Sequence, residues 1–204
     1  MKKVLITSGP TWVPIDQVRV ISNTSTGKMG EALVDACRKN RFEVTLLEGP
    51  VAYPSQRKDI RILKFKFYDE LLALLKQELK KKYDVVIHVA AVSDYKLKNP
   101  FKAKLSSHLK ELKLNFIPTQ KMIPLIKKIN PKTFLVGFKL EPKLNMGALR
   151  LKTRDLFQKS KCDLVVANST NAHHYCGYIL NREGKVLAHP MSREGLASAL
   201  VKLL

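Results

Sequence analysis

Apolar runs of strand length alternate with segments of helical periodicity along most of this chain. The runs are KKVLITSG, FEVTLLEGP, DIRILKFKF, DVVIHVAAV, TFLVGFKLE and CDLVVAN, and most segments between them carry apolar side chains at helical spacing. Strands that alternate with helices form a parallel sheet with right-handed crossovers. The sequence therefore predicts an α/β fold with a Rossmann-like, doubly wound, mostly parallel sheet, and its 204 residues suit a single domain over residues 1–204.

Two stretches depart from this alternation. Residues 95–116, YKLKNPFKAKLSSHLKELKLNF, are rich in lysine and lack a clear apolar period, so we predict a flap. The later segment YILNREGKVLAHP is typical of a C-terminal hairpin with its turn at Asn181–Gly184. Ser192 is placed to cap a final helix.

The formal net charge of +20 is compatible with a nucleic acid, an anionic membrane or a phosphorylated small molecule as partner. No RNA-recognition signature or zinc finger accompanies the lysines, so nucleic acid is not the expected partner. No apolar run approaches the ~20 residues of a bilayer span, so we expect no membrane partner and a cytoplasmic protein. Cys37, Cys162 and Cys176 lack a CxxC spacing, so we predict neither a disulfide framework nor a protein-bound metal.

Polar or small residues follow several of the predicted strands. In a parallel sheet of this type, ligands bind beyond the carboxyl ends of the strands. The residues expected there are Ser8 to Thr11, Glu48 to Pro50, Ala90 to Asp94, Lys139, Glu141 and Asn168. The sequence therefore predicts one candidate site along this edge of the sheet.

The loop ISNTSTGKMG, residues 21–30, precedes a helical segment but matches neither common phosphate-binding pattern. A Walker A loop would require glycine at Ser22 and a hydroxyl at Met29, and no GxGxxG follows the first strand. A helix that begins near Gly27 still attracts anions, helped by Ser25, Thr26 and Lys28. The alternative is that Ser25 or Thr26 caps the helix and Lys28 is solvated, and the loop alone leaves both interpretations open.

A longer segment, GPTWVPIDQVRVISNTSTGKMG, resembles the signature of the phosphopantothenate-cysteine ligases, in which G-x-T, I/L-D-x-V-R and I-S-N-x-S-[ST]-G-K-M-G follow one another. The resemblance continues in AAVSDY, KLSS, VGFKLE and DLVVAN and so covers nearly the whole chain. It implies a ligase that joins 4'-phosphopantothenate to cysteine through an acyl-nucleotidyl intermediate, with release of pyrophosphate, in coenzyme A biosynthesis. Because the chain begins at this signature, we expect the stand-alone form rather than a fusion with a decarboxylase.

The resemblance also implies roles for individual residues. Asn23 would hydrogen-bond the activated acyl group and Lys104, in the flap, would close over the triphosphate, which makes these two the expected catalytic residues. The residues expected to bind the nucleotide are Ala90, Ala91, Asp94, Lys104, Pro118, Thr119, Gln120, Lys121, Phe138 and Lys159. Those expected to bind phosphopantothenate are Arg19, Asn23, Ser25, Gly27, Lys28 and Asn168. Mg²⁺ would enter with the nucleotide.

Some expectations stay open at this point. The nucleotide is CTP or ATP, because GFKLE resembles the eukaryotic branch, which favours ATP, whereas fused bacterial forms favour CTP. Asp155 stands where the family has a second lysine, so one alternative is a catalytically impaired homologue. Another alternative is a basic nucleic-acid-binding module on a Rossmann-like scaffold. The family further implies a homodimer in which the loop containing Arg19 reaches the partner's site.

Overall fold

The computed structural model describes residues 1–141, 146–171 and 174–204. The strands are β1 (Lys3–Ser8), β2 (Trp12–Pro14), β3 (Val20–Ser22), β4 (Glu43–Glu48), β5 (Arg61–Lys64), β6 (Val85–His88), β7 (Tyr95–Leu97), β8 (Phe116–Pro118), β9 (Phe134–Leu140), β10 (Leu164–Asn171), β11 (His174–Leu180) and β12 (Val186–Ala188). The helices are α1 (Lys28–Lys39), α2 (Tyr68–Leu79), α3 (Ile123–Ile129), α4 (Met146–Gln158) and α5 (Arg193–Val201).

Eight of these strands form one sheet in the order β12-β11-β10-β9-β6-β1-β4-β5. The six strands from β10 to β5 in this order run parallel, and β11 and β12 are antiparallel to their neighbours. The predicted α/β fold with a doubly wound, mostly parallel sheet is confirmed. The C-terminal hairpin is confirmed too, since Gly184 N–H donates to the Asn181 carbonyl at 3.0 Å and closes its turn.

Alternate residues of the central strands enter two separate apolar cores. Val4 and Ile6 of β1 pack toward α1 and α5, whereas Leu5 packs toward α2 and α3. All three side chains are fully buried, as the period of two along a strand requires when helices cover both faces. The final helix begins as predicted, because Ser192 Oγ accepts the Gly195 N–H at 2.9 Å.

Two short antiparallel ribbons stand outside the main sheet. The β2–β3 ribbon lies between β1 and α1, where we predicted no strand, and the β7–β8 ribbon forms the base of the predicted flap. Leu97 of the flap is buried, but the stretch between β7 and β8 contains no further strand or helix. Within the described residues, no helix has both the length and the apolar character that crossing a bilayer demands.

His88, at the end of β6, is buried and lies with Nδ1 2.9 Å from Thr7 Oγ1. Burial lowers the pKa of His88 to about 4, whereas a histidine in an unfolded chain titrates near ~6.5. Between these two pKa values the unfolded chain binds a proton at His88 and the folded chain does not, so a fall in pH favours unfolding. We expect the free energy of unfolding to drop by about 2 kcal/mol between pH 7 and pH 5 from this residue.

The measurement is urea unfolding across this pH range in the wild type and in His88→Gln. Glutamine keeps a hydrogen-bonding group near Thr7 but does not titrate. The variant should show a pH dependence that is flatter by the His88 contribution. Equal slopes in the two proteins would remove His88 as the source.

Candidate functional site

A cleft of about 540 Å³ opens at the carboxyl edge of the parallel strands. Its walls come from the end of β1, the loop and first turn of α1, the loop after β6, and the ends of β9 and β10. Nine of the residues predicted to bind substrate or nucleotide line it: Asn23, Ser25, Gly27, Lys28, Ala90, Ala91, Asp94, Phe138 and Asn168. The structure thus brings the signature loop and the strand-end motifs to one site.

The two glycines of GKMG are each required for a different structural reason. Gly27 is the N-cap of α1 with φ of +78°, a left-handed conformation that favours glycine, and a Cβ there would meet Val51 at 2.7 Å. A Cβ on Gly30 would lie 2.0 Å from Ser8 Oγ, so glycine lets α1 approach the end of β1 closely. No side chain caps the helix, which rules out Ser25 or Thr26 as its cap. The first N–H groups of α1 therefore meet the cleft without a capping side chain, and such a helix start attracts anions.

Asn23 is held at the cleft by the loop after β6. Its Nδ2 donates to the Ala91 carbonyl oxygen at 3.0 Å, and the Thr11 N–H donates to the same oxygen at 3.2 Å. The Ala91 N–H in turn donates to the Gly9 carbonyl at 2.9 Å. An amide nitrogen carries two protons, so Nδ2 has one more to offer a ligand. The Ala91 peptide group therefore fixes Asn23 relative to the ends of β1 and β6.

The turn of residues 118–121 lies beside Asp94 at the rim of the cleft. Thr119 N–H donates to the Asp94 carbonyl at 2.9 Å, and Lys121 Nζ lies 2.5 Å from Asp94 Oδ1. The Tyr68 hydroxyl donates to the Gln120 carbonyl at 2.6 Å and fastens the turn to α2. Pro118 to Lys121 are thus adjacent to the cleft without lining it.

Lys139, which we expected at this edge of the sheet, lines the cleft, and so do Tyr175 and Arg193, which we did not predict as site residues. The Tyr175 hydroxyl lies 3.3 Å from Met29 Sδ, and the Arg193 guanidinium stands 4.8 Å above the Tyr175 ring. Burial raises the pKa of Tyr175 to about 12, so this hydroxyl keeps its proton at neutral pH. Tyr175 and Arg193 come from β11 and the start of α5, and no local pattern links these elements to the signature loop.

The charges in the cleft favour an anionic ligand. Lys28, Lys139 and Arg193 are the cations of its lining, and Asp94 is the one carboxylate among the described lining residues. Asp94 is also paired with Lys121, which reduces its negative field further. Within the described ranges, no group of three or more His, Cys, Asp or Glu side chains is placed to hold a metal ion.

Arg19 and Asp16 fasten the flap to the β2–β3 ribbon. Asp16 Oδ2 accepts the Leu105 N–H at 3.0 Å, while Oδ1 accepts the N–H groups of Val18 and Arg19 at 2.9 and 2.8 Å. Arg19 binds Asp16 Oδ2 at 2.8 Å and donates to the Leu105 carbonyl at 3.3 Å. The hydrogen bonds from the Leu105, Val18 and Arg19 backbones lower the pKa of Asp16 to about 2. Arg19 and Lys104 lie outside the cleft. We call the bonds of Asp16 and Arg19 to Leu105 the Asp16 clasp, and they fix the backbone next to Lys104.

Lys159 is not brought to the cleft. It follows α4 directly, and that end of the helix precedes the start of β10, on the edge of the sheet opposite the cleft. Its Nζ lies 2.8 Å from Asp155 Oδ2, one helical turn earlier. The position of Lys159 therefore gives no support to the prediction that it contacts a nucleotide phosphate.

Comparison with known protein families shows which family the chain belongs to. The family described as the DNA/pantothenate metabolism flavoprotein C-terminal domain matches residues 1–204. The chain belongs to this family. The resemblance to the phosphopantothenate-cysteine ligases is thereby confirmed.

Relatives and solved structures agree with this assignment. The chain is 40% identical over 172 residues to the coenzyme A biosynthesis bifunctional protein CoaBC of Thermococcus kodakarensis, covering 84% of this chain and 42% of that protein. The corresponding protein of Methanocaldococcus jannaschii is 34% identical over 174 residues, which cover 85% of this chain and 42% of that protein. The chain therefore spans less than half the length of these two relatives.

Two solved structures superpose on this chain over nearly its whole length. The DNA/pantothenate metabolism flavoprotein of Streptococcus pneumoniae superposes with a TM-score of 0.88 at 27% identity, covering 100% of this chain and 98% of that one. The C-terminal domain of a CoaBC protein gives a TM-score of 0.82 at 26% identity, covering 99% of this chain and 93% of that one.

The Asp16 clasp predicts how the flap responds to mutation. In Asp16→Asn the Leu105 N–H loses its charged acceptor, and one amide oxygen cannot replace both carboxylate oxygens. We expect trypsin to cut the flap at its lysines several-fold faster than in the wild type. Asp155→Asn is the matched control, because Asp155 is largely exposed and pairs with Lys159 at 2.8 Å at the end of α4, outside the flap. Equal cleavage rates in Asp16→Asn and the wild type would show that the clasp does not hold the flap.

Proposed function

We propose that the chain is a phosphopantothenate-cysteine ligase domain. It activates the carboxylate of 4'-phosphopantothenate with CTP or ATP and transfers the acyl group to the amine of cysteine, a step of coenzyme A biosynthesis. The observation that carries this proposal is the single cleft that unites Asn23 and the start of α1 with the loop after β6 and Phe138. The relatives named for coenzyme A biosynthesis support the same reaction.

The first step joins two anions. An oxygen of the phosphopantothenate carboxylate attacks the α-phosphorus of the nucleotide, the bond to the β-phosphate oxygen breaks, and pyrophosphate leaves. Cations and positioned hydrogen-bond donors lower such a barrier. The cleft offers Lys28, Lys139 and Arg193, and Lys104 reaches it if the flap closes. Lysines suit point contacts to phosphate oxygens.

The second step forms the amide. The cysteine amine attacks the acyl carbon, and the nucleoside monophosphate leaves with the oxygen that came from the carboxylate. The remaining proton of Asn23 Nδ2 is available to the acyl oxygen, while Ala91 holds the side chain in place. The neutral amide suits this role, because it donates a hydrogen bond without becoming acylated.

The two substrates occupy opposite parts of the cleft. The phosphate of phosphopantothenate binds at the start of α1, near Ser25, Gly27 and Lys28, and Asn168 closes that pocket. The nucleotide lies against Ala90, Ala91 and Phe138, with Asp94 and the turn of residues 118–121 contacting its sugar or base.

Mg²⁺ enters with the nucleotide as part of the substrate. It neutralises phosphate oxygens, which are the hard ligands that it prefers, and it commonly retains several waters. Its oxygen ligands would come from the triphosphate and from water, because Asp94, the one carboxylate among the described lining residues, is paired with Lys121.

A pyrophosphate-release assay with each of the four ribonucleoside triphosphates tests this function. Release should require nucleotide, Mg²⁺ and phosphopantothenate together, and Asn23→Asp should bind nucleotide yet lose turnover by about 10²–10³-fold. The loss is expected because a carboxylate repels the anionic intermediate. Asn181→Asp is the control and should keep near-normal turnover, since Asn181 lies in the hairpin turn outside the cleft and an aspartate there still accepts the Lys185 N–H. Release without phosphopantothenate, or an active Asn23→Asp, would contradict the proposal.

We also propose that the chain forms a homodimer through its two ribbons. Large apolar side chains are exposed on them, including Val20 at 38%, Ile21 at 39% and Tyr95 at 58% of their surface. Strand β2 packs beside β7, so the two ribbons form one continuous surface. Arg19 and Asn23 flank β3, which would bring the partner subunit close to the cleft.

Sedimentation velocity should give twice the 23.1 kDa chain mass for the wild type. Ile21→Glu/Tyr95→Glu should sediment as a monomer, because two buried carboxylates at an apolar interface are costly. Leu187→Glu is the control, since Leu187 is equally exposed, at 38%, but lies on β12. A wild-type monomer, or a double variant that stays dimeric, would refute the ribbon interface.

A further inference from the structure

The edge of the sheet opposite the cleft is rich in lysine. Six parallel strands start there, and α1, α2, α3 and α4 end there. We call the basic edge the exposed lysines at the helix ends and connections that lead into β5, β6, β9 and β10, namely Lys58, Lys80, Lys81, Lys82, Lys128, Lys132, Lys159 and Lys161. The proposed ligase reaction uses none of this surface, because its substrates bind at the other end of the strands.

Several carboxylates of this edge are already paired. The pairs are Glu78 with Arg61 and Lys81, Asp163 with Lys127 and Arg182, and Asp155 with Lys159. Six exposed lysines have no carboxylate within 4.0 Å in the described part of the chain: Lys58, Lys80, Lys82, Lys128, Lys132 and Lys161. The basic edge therefore carries a positive charge that its own acids do not neutralise.

Two hollows in this edge are lined by cations. One, of about 560 Å³, combines Lys127, Lys128, Lys161 and Arg182 with Phe157, Gln158 and Pro131. The other, of about 420 Å³, combines Lys3, Arg38, Lys58, Arg61 and Lys81 with Tyr83, Ile60, Val44, Thr45 and two acids, Glu43 and Asp59. The first hollow has no carboxylate among its lining residues, and an aromatic ring and an amide lie next to its cations.

Helix dipoles explain only part of this lysine enrichment. A lysine in the last turn of a helix interacts favourably with the helix dipole, an effect that fades beyond that turn. Lys82, Lys132 and Lys161 lie in the connections after the helices, and Lys82 and Lys161 have left-handed φ values of +55° and +54°. Lysines that neither a helix dipole nor a carboxylate stabilises leave a positive field, which favours a polyanionic partner.

We propose that the basic edge binds single-stranded nucleic acid, with the hollow around Lys128 and Lys161 as its centre. A phosphodiester strand can enter a hollow and place its phosphates against the lysines, while bases find Phe157 and Gln158 in the same lining. An anionic membrane is the other candidate partner of a lysine-rich surface. A bilayer is flat at this scale, so it would contact the rim of a hollow rather than the residues that line it. The chemistry is shared by RNA and DNA.

The test is fluorescence anisotropy of the whole chain with labelled single-stranded RNA and DNA 20-mers and a DNA duplex, over a range of salt. Both single strands should bind more tightly than the duplex, with an affinity that falls linearly in log salt. The edge variant Lys128→Gln/Lys132→Gln/Lys161→Gln should bind at least tenfold more weakly. Its salt slope should be lower by about 2, because each lysine–phosphate pair on a single strand accounts for ~0.7 of the slope. Comparing the two strands shows whether a ribose hydroxyl matters.

The matched control is Lys64→Gln/Lys66→Gln/Lys110→Gln, which removes three charges from exposed lysines outside the basic edge. It should change affinity less than threefold, and both variants should keep the pyrophosphate release of the wild type. Equal weakening by both variants would show that overall charge alone binds the strand and would overturn the proposal. So would a lack of binding near physiological salt, or edge-dependent binding to phosphatidylserine vesicles without binding to nucleic acid.

Discussion

The peptide group of Ala91 is the junction on which the site depends. Its N–H donates to Gly9, at the end of β1, and its carbonyl accepts from Thr11 and from the side chain of Asn23. These bonds connect the ends of β1 and β6 with Asn23, which directly follows β3 of the β2–β3 ribbon. Such a junction requires the ends of β1 and β6 to be neighbours, which the strand order provides. The side chain of Asn23, which we propose to be catalytic, lies on a loop and thereby gains the positional precision of the sheet.

The parallel arrangement also divides the electrostatics of the molecule between two edges. Helix α1 starts at the cleft, where its free N–H groups favour anions, and it ends at the opposite edge with Arg38 and Lys39. The close approach of Gly30 to Ser8 fixes where that helix starts. One topology therefore explains why the start of α1 favours anions at one edge and why lysines accumulate at the other.

Sequence patterns predicted the elements that depend on local periodicity. The apolar runs located the strands of the main sheet up to β10, and the strand ends placed Ala90, Asp94 and Asn168 at one edge, whereas Asn23 followed only from the family resemblance. The β2–β3 ribbon was missed because its strands have three residues each, too few to show a period. Tyr175 and Arg193 were missed because β11 and α5 reach the cleft through long-range packing against α1. Lys159 matched a local pattern, yet the end of α4 carries it to the far edge.

The central claim is that a carboxylate oxygen attacks the α-phosphorus in this cleft. The most direct measurement uses phosphopantothenate labelled with ¹⁸O in its carboxylate, with Mg²⁺, nucleotide and cysteine, followed by mass spectrometry of the phosphate products. The account predicts one ¹⁸O in the released nucleoside monophosphate and none in pyrophosphate. Label in inorganic phosphate, released with a nucleoside diphosphate, would show attack at the γ-phosphorus and contradict the account.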